Sequence, residues 1–240
     1  MDPPAVDPLD GLATTDDALL GGRVRLRQPA KGYRAAIDPL LLAASLAIRP
    51  GETLLDLCCG VGTVGACALA RVPGITVVGV EIDPALAALA RHNAAANGIA
   101  DRYTVIEGDA TARGLLDGRF HHVALNPPWH DATHPPSPDP RKARANSDHA
   151  ALLPRLVDVA VRRLRPGGTL SIIHRVEAVP ALLAALDRRV GALALRPIAT
   201  AANTAPSRVI LSAIEGRRTP FALLPVWEPA QWKPMLGGQD

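Results

Sequence analysis

Aromatic side chains are scarce in this chain of 240 residues: they make up only 3% of it, as three Trp, two Tyr and two Phe. Proteins that bind RNA on an aromatic platform, such as RNA-recognition and OB-fold modules, stack bases on several closely placed rings. So few aromatic residues exclude a platform of that kind. The hydrophobic fraction of 48% is that of a globular protein and excludes a chain that is disordered throughout.

Cysteine is scarce as well, since the chain contains only Cys58, Cys59 and Cys67. An odd number of clustered cysteines cannot form a disulfide framework, and we expect a reducing, cytoplasmic compartment. Neither these cysteines nor the histidines have the spacing of metal ligands, so no metal is expected. The longest largely apolar run, 40–48, is too short to cross a membrane. The first residues also lack the basic segment of a secretory signal.

Positive charge is in slight excess, with a net charge of +3, and it is unevenly distributed. The first 17 residues contain five Asp and neither Lys nor Arg, so the rest of the chain is more basic than the total suggests. Such a surface permits an anionic partner such as RNA. Charge alone fits a merely soluble basic surface equally well.

Strand and helix patterns alternate from residue 53 onward, after a hairpin pattern near 24–27 and a helix over 37–48. This alternation predicts an α/β fold with a mostly parallel sheet of seven strands and helices on both faces. Strands are predicted at 53–57, 76–80, 103–107, 121–125, 169–173, 192–197 and 208–214. Helices are predicted at 66–71, 84–97, 152–164 and 178–189, with a long loop over 130–145.

A glycine loop, Gly60-x-Gly62-x-x-Gly65, follows the first of these strands and precedes a helix. This arrangement is typical of sites that bind a nucleotide cofactor at a helix N-terminus. Glu81 ends the next strand, where a carboxylate can accept both hydroxyl protons of a ribose. Asp56 lies at the end of the preceding strand, and we expect its carboxylate to point into the loop. It would repel a pyrophosphate there, so it favours a sulfonium or ammonium ligand over NAD.

These cofactor motifs resemble those of class I S-adenosylmethionine-dependent methyltransferases, which have a Rossmann-like fold. The resemblance implies that the first acid and the glycines hold the methionine end, that Glu81 holds the ribose, and that Asp109 lies beside the adenine. The sequence departs from the family at Cys58, where a glycine is usual. The predicted cofactor-binding residues are Arg34, Asp38, Asp56, Cys58, Gly60, Gly62, Glu81, Ile82, Asp109, Ala110 and Asn126.

The motif Asn126-Pro127-Pro128-Trp129 follows the fourth predicted core strand, at the sheet edge where α/β proteins place their chemistry. A nucleobase amino nitrogen is a poor nucleophile, and it needs oxygen acceptors for hydrogen bonds from its N–H groups. The Asn126 side-chain oxygen and the Pro127 carbonyl can serve as those acceptors, with proline rigidity fixing the carbonyl direction. Trp129 can stack an extruded base. All four residues are predicted to be catalytic, although Asn-Pro-Pro can also be a simple rigid bend.

Segments around these motifs make residues 17–214 resemble the tRNA1(Val) (adenine-37-N6)-methyltransferase family in its short bacterial form. They include 17–22, 28–34, 137–140 and 164–175. The resemblance implies adenine-N6 methylation of a tRNA, in a protein taken to be a monomer. It divides the chain into an acidic, Pro-rich tail (1–16), an N-terminal hairpin and helix extension (17–50), a methyltransferase core (51–215) and a C-terminal tail (216–240).

Other functions stay open on the sequence alone. Guanine-N2 rRNA methyltransferases are similar in having a His after the motif's aromatic residue, here His130. Protein glutamine-N5 methyltransferases share the motif but carry a separate N-terminal helical domain, which the leader is too short to form. A nicotinamide-dependent oxidoreductase and a non-catalytic binding module fit the motif less well. The basic residues that either contact RNA or are simply solvated are Arg23, Arg25, Arg27, Arg141, Lys142 and Arg144.

Overall fold

The computed structural model describes residues 9, 11–31, 37–128 and 140–237. In chain order the strands are β1 (Thr14–Leu19), β2 (Val24–Pro29), β3 (Thr53–Leu57), β4 (Thr76–Glu81), β5 (Tyr103–Glu107), β6 (Phe120–Leu125), β7 (Leu164–Arg175), β8 (Gly191–Ile198), β9 (Arg208–Ile214) and β10 (Ala222–Leu223). The helices are α1 (Ile37–Ser45), α2 (Thr63–Arg71), α3 (Pro84–Ala96), α4 (Pro140–Arg162), α5 (Val179–Leu186) and α6 (Pro229–Leu236).

The main sheet has the order β10-β8-β9-β7-β6-β3-β4-β5, in which β9 runs antiparallel to both neighbours. The central pairs β7–β6, β6–β3, β3–β4 and β4–β5 are parallel. The predicted fold class is therefore confirmed, with one strand more than the seven expected. The extra strand, β10, has only two residues, both exposed, so it carries no periodic pattern that a sequence could reveal.

Apolar side chains pack on both faces of this sheet, as the near-continuous hydrophobic strands require. In β3, Leu54 packs with residues of α1, α2 and α3, whereas Leu55 and Leu57 pack with residues of α4 and α5. Successive strand side chains point to opposite faces, so one short strand serves both cores. None of the helices within the described ranges is long and apolar enough to span a membrane.

Three segments differ most from their predicted structure: the start of α4, the start of β7, which lies at Leu164 and not at residue 169, and the C-terminal region. The helix expected at residue 152 begins at Pro140, inside the stretch expected to be a loop. Proline is well tolerated in the first turn of a helix, where its missing N–H has no partner to lose. The C-terminal region contains β10 and α6, and Trp232 of α6 is only 4% exposed and donates to the Ala199 carbonyl at 3.0 Å. That tryptophan is therefore a core residue.

The strands β1 and β2 form a separate antiparallel hairpin, so ordered structure begins before the boundary expected at residue 17. In β2, Val24 and Leu26 are buried while Arg25 is exposed, which is the alternation of a strand with one covered face. Leu26 packs against Val61 of the glycine loop and Leu89 of α3. The hairpin therefore lies against the part of the sheet that carries the predicted cofactor site.

Candidate active site

The predicted motifs meet at one edge of the sheet because the strands that carry them are parallel and in register. Leu57 at the end of β3 lies opposite both Val80 of β4 and Leu125 at the end of β6. Glu81 lies opposite Glu107 at the end of β5. The residues that follow these strand ends therefore leave the sheet together, which is where open α/β sheets bind their ligands.

The glycine loop joins β3 to α2 by a backbone path that only small residues can follow. Gly62 has φ 86° and is the N-cap residue of α2, so the cap position offers no side chain to the helix. A Cβ atom on Gly65 would lie 2.6 Å from Cζ of Tyr103, so no larger residue fits there. In the first turn of α2, Asp56 accepts the Gly65 N–H, and the N–H groups of Thr63 and Val64 are suited to a carboxylate of a ligand.

Cys58 occupies the first turn of this loop in a conformation that glycine normally supplies. Its φ is 58°, in the left-handed region, which costs a residue with a Cβ atom about 1–2 kcal/mol. Burial, followed by the nearby carboxylates of Glu81, Asp56 and Asp109, raises the pKa of its thiol to about 12. The loop thus keeps its usual path despite the cysteine, and the thiol stays neutral at physiological pH.

Glu81 supports the loop from the end of β4. Its Oε2 accepts the Gly60 N–H at 2.8 Å and its Oε1 accepts the Asp83 N–H at 3.0 Å. A carboxylate has about four acceptor positions, so each oxygen keeps one for the predicted ribose contact. Ile82, next in the chain, is 65% exposed and offers an apolar side chain beside this carboxylate.

Asp109 and Ala110 follow β5 at the same edge. The exposed Asp109 carboxylate accepts bonds from the N–H and hydroxyl of Thr111, both at 2.8 Å, and these bonds lower its pKa. Ala110 is buried. Their contact with the adenine stays a prediction.

Asp56 lies beneath the loop and is completely buried. Its Oδ2 accepts the Gly65 N–H at 3.2 Å and the Tyr103 hydroxyl at 3.4 Å. Burial raises its pKa to about 7, and the charge on Glu81 adds to that rise while the two hydrogen bonds oppose it. Asp56 thus contacts the loop backbone, whereas its predicted direct contact with a cofactor stays a prediction.

The Asn-Pro-Pro segment leaves β6 directly beside the glycine loop, since Leu125 is paired with Leu57. Asn126 is half-buried, Pro127 is buried and Pro128 is exposed. Within the described part of the chain the Asn126 side chain makes no hydrogen bond, so its amide is available to a substrate. Trp129 and Arg34, also predicted for this site, lie outside the described residues, as does His130.

Asp38 lies at the same edge but is already paired. The Arg208 Nε contacts its two carboxylate oxygens at 3.0 and 3.3 Å, and the Asp38 carboxylate is buried. Arg208 begins β9 opposite Arg175, the last residue of β7. The predicted contact of Asp38 with a cofactor stays a prediction beside this ion pair.

Three residues of the site were not expected from the sequence: Tyr103 under the loop, Asn93 beside it, and Arg208 on Asp38. Tyr103 opens a strand and Asn93 lies in an Ala-rich helix, so neither belongs to a motif. Asp38 and Arg208 are 170 positions apart in the chain. Only the fold brings such residues to the site, and no sequence signal could have found them.

The electrostatics of the site fit a sulfonium cofactor. Asp56 and Glu81 form no ion pair with Lys or Arg among the described residues, and together with Asp109 they raise the pKa of Cys58. A negative field of this kind favours a cation and disfavours a pyrophosphate. Two buried polar atoms beside the loop, Asp56 Oδ1 and Thr63 Oγ1, also have no partner in the described part of the protein. Among the described residues no group of three or more His, Cys, Asp or Glu could hold a metal ion.

This fold and site define a class I methyltransferase that uses S-adenosylmethionine, as the sequence predicts. Residues 36–194 match the methyltransferase small domain. The chain belongs to that family.

Individual relatives agree with this assignment. The chain is 30% identical over 187 residues to the tRNA1(Val) (adenine(37)-N6)-methyltransferase of Shewanella amazonensis, covering 77% of this chain and 79% of that protein. It is 30% identical over 136 residues to the ribosomal RNA small subunit methyltransferase C of Pseudomonas aeruginosa, covering 55% of this chain but 35% of that protein. A solved structure from Agrobacterium tumefaciens, described as a predicted O-methyltransferase, has 25% identity and a TM-score of 0.69, covering 84% and 96% of the two chains.

Proposed function

We propose that the protein methylates the exocyclic N6 amino group of an adenine in a tRNA. The observation that carries this proposal is the place of Asn126 and Pro127, one strand from the glycine loop, with the Asn126 amide unengaged by the described residues. Acceptor groups beside a methyl donor suit a planar amino nitrogen. The length over which the chain matches the Shewanella tRNA enzyme supports adenine in tRNA.

The residues of this chain act by binding and orientation. S-adenosylmethionine supplies a methyl group on a sulfonium, which makes the carbon electrophilic. The Asn126 side-chain oxygen and the Pro127 carbonyl accept hydrogen bonds from the two N–H groups of the adenine amino group. This contact localises the nitrogen lone pair and aims it at the carbon. Trp129 stacks the extruded base. The amino nitrogen would form its bond to the methyl carbon as the carbon–sulfur bond breaks, and it would then lose its extra proton to solvent, so no strong base is required before the transfer.

Contacts with the rest of the RNA belong to the same proposal. In β2, Arg27 is engaged by Asp16, which lies directly opposite it, with Nε to Oδ1 at 2.8 Å. Arg25 is exposed, so it is the better candidate of these two for a phosphate contact. Arg141, Lys142 and Arg144 have no described side chains, so their role rests on the sequence alone.

The proposal is tested by methyl transfer to defined RNA. The purified protein and labelled S-adenosylmethionine are incubated with unmodified tRNA in one reaction and with unmodified rRNA in another. The RNA of each reaction is then digested to nucleosides. We expect N6-methyladenosine in the tRNA. N2-methylguanosine in the rRNA would instead support the second candidate, for which the match to the Pseudomonas rRNA enzyme is the favouring observation. Absence of transfer to either RNA would contradict both.

A further inference from the structure

Asn93 of α3 connects three parts of the protein through one buried amide. It is only 1% exposed. Its Oδ1 accepts the Arg27 N–H at 2.8 Å, and its Nδ2 donates to the Arg27 carbonyl and to the Val61 carbonyl, both at 2.9 Å. Arg27 belongs to the hairpin and Val61 to the glycine loop. Both Nδ2 hydrogens are therefore used, and this pattern fixes the orientation of the amide.

Asn97, one helical turn later, repeats the hairpin half of this pattern. Its Oδ1 accepts the Arg25 N–H at 2.8 Å and its Nδ2 donates to the Arg25 carbonyl at 2.6 Å. Its second donation goes to the Asn93 carbonyl at 2.7 Å, within the same helix. The two asparagines thus bind alternate residues of β2 as a neighbouring strand would, and only Asn93 reaches the loop.

Apolar packing supports the same connection. Leu26 of the hairpin, Val61 of the loop and Leu89 of α3 form a small cluster in which none is more than 1% exposed. Val61 stands between Gly60 and Gly62, whose φ angles of 57° and 86° are both left-handed. Because glycine is free to adopt many backbone conformations, Val61 is the position at which the path of this segment can be fixed by a side chain and a carbonyl.

We propose that Asn93 is a positioning residue that ties the cofactor loop to the N-terminal hairpin, so that affinity for the cofactor depends on the docked hairpin. Loss of the Asn93 amide leaves the buried Val61 carbonyl without its partner and lets the segment between the two glycines move. The inference concerns the S-adenosylmethionine site and does not depend on which RNA is methylated.

The test compares Asn93→Ala with Asn97→Ala in the full chain. Both variants remove two hydrogen bonds to the hairpin, and only the first removes one to the loop. Binding of S-adenosylhomocysteine is measured by calorimetry, and thermal unfolding is measured alongside it. We expect both variants to unfold at a lower temperature, Asn97→Ala to bind within about twofold of wild type, and Asn93→Ala to bind roughly tenfold more weakly. Equal binding by the two variants would overturn the proposal.

A readout without cofactor separates this inference from the proposed function. Hydrogen exchange of the ligand-free protein is expected to speed up at residues 58–65 in Asn93→Ala and not in Asn97→Ala. Unchanged exchange in Asn93→Ala would overturn the positioning role even if the protein methylates RNA. Conversely, the expected exchange and binding without any RNA methylation would contradict the proposed function and leave the positioning role supported.

A second pair of variants covers the case in which Asn93→Ala does not fold. Leu26→Ala weakens the apolar contact between hairpin and loop, whereas Val24→Ala truncates an equally buried hairpin residue that packs in a different cluster. We expect weaker binding of S-adenosylhomocysteine in the first and near wild-type binding in the second. The same affinity in both would contradict the proposed dependence on the hairpin.

Discussion

Buried polar groups are bonded differently at the amino edge of the main sheet, where the parallel strands begin, and at the carboxyl edge, where they end. At the amino edge the groups bond mainly to one another: His122 Nε2 lies 2.9 Å from Glu52 Oε2, and His121 Nδ1 lies 3.0 Å from the Thr53 hydroxyl, while His122 Nδ1 has no partner in the described part of the protein. At the carboxyl edge Asp56 and Glu81 have no cationic partner among the described residues, and their hydrogen bonds go to the glycine loop and its neighbours. Polar groups that bond to one another stabilise the fold, whereas like charges without a cationic partner are retained where a ligand supplies the opposite charge.

The largest effect is expected at Asn126, the acceptor of the carboxyl edge. Asn126→Ala should lower kcat for methyl transfer by about a hundredfold or more, because it removes a contact that matters most in the transition state. Affinity for S-adenosylhomocysteine should stay within about twofold of wild type. Steady-state kinetics and calorimetry on the same preparation check the two values. An equal loss of both would contradict the assigned role.

A smaller loss is expected from Glu81→Gln. The neutral amide weakens a charge-assisted bond to the Gly60 N–H, and it removes an acceptor for the ribose hydroxyls. Cofactor affinity should fall about tenfold to a hundredfold. Glu107→Gln is the matched control, because Glu107 lies directly opposite Glu81 on β5 but is exposed and pairs with Arg91. Similar losses in the two variants would show that the carboxyl edge has no special role for Glu81.

The two edges should also respond to pH with opposite sign. Folded Asp56 has a pKa of about 7 against 3.8 for a free Asp, so its contribution to stability is complete below about pH 4 and is lost as the pH rises through 7. Burial lowers the pKa of His122 from 6.5, although the bond to Glu52 opposes this, so the unfolded chain takes up the proton first. Its contribution is lost as the pH falls below about 6.5.

Urea unfolding from pH 4 to 8 measures both contributions, because both change below about pH 7. Asp56→Asn should remove a decline in unfolding free energy between about pH 4 and 7, and so make the slope of the profile more positive there. His122→Gln should remove a loss of unfolding free energy on acidification below about pH 6.5, and so make the slope less positive. Each variant is the control for the other, because the two changes in slope have opposite signs. A wild-type slope between pH 5 and 7 in Asp56→Asn would show that Asp56 does not titrate in this range.

The sequence predicts those features that depend on neighbouring residues, and it does not predict contacts between residues far apart in the chain. The bounds of β3 and β5 are predicted to the residue because apolar runs end at turn residues, and the edge that gathers Glu81, Asp109 and Asn126 follows from parallel pairing. The contacts of Tyr103 with Asp56 and of Asn93 with Val61 were not predicted, because neither pair is adjacent in the chain. Side-chain contacts over such separations are set by packing, which leaves no periodic signal.

The smallest effect is expected at Cys58, where the carboxyl edge departs from the family pattern. Cys58→Gly removes a left-handed strain of about 1–2 kcal/mol but adds about 0.5–1 kcal/mol of chain entropy to be lost on folding. The free energy of unfolding should therefore rise by about 0 to 1.5 kcal/mol, and cofactor affinity should stay within about twofold. Cys58→Ala is the control, because it keeps the strain and removes only the thiol. A clear loss of stability in Cys58→Gly, with none in Cys58→Ala, would mean that glycine at this position gives the loop too much freedom.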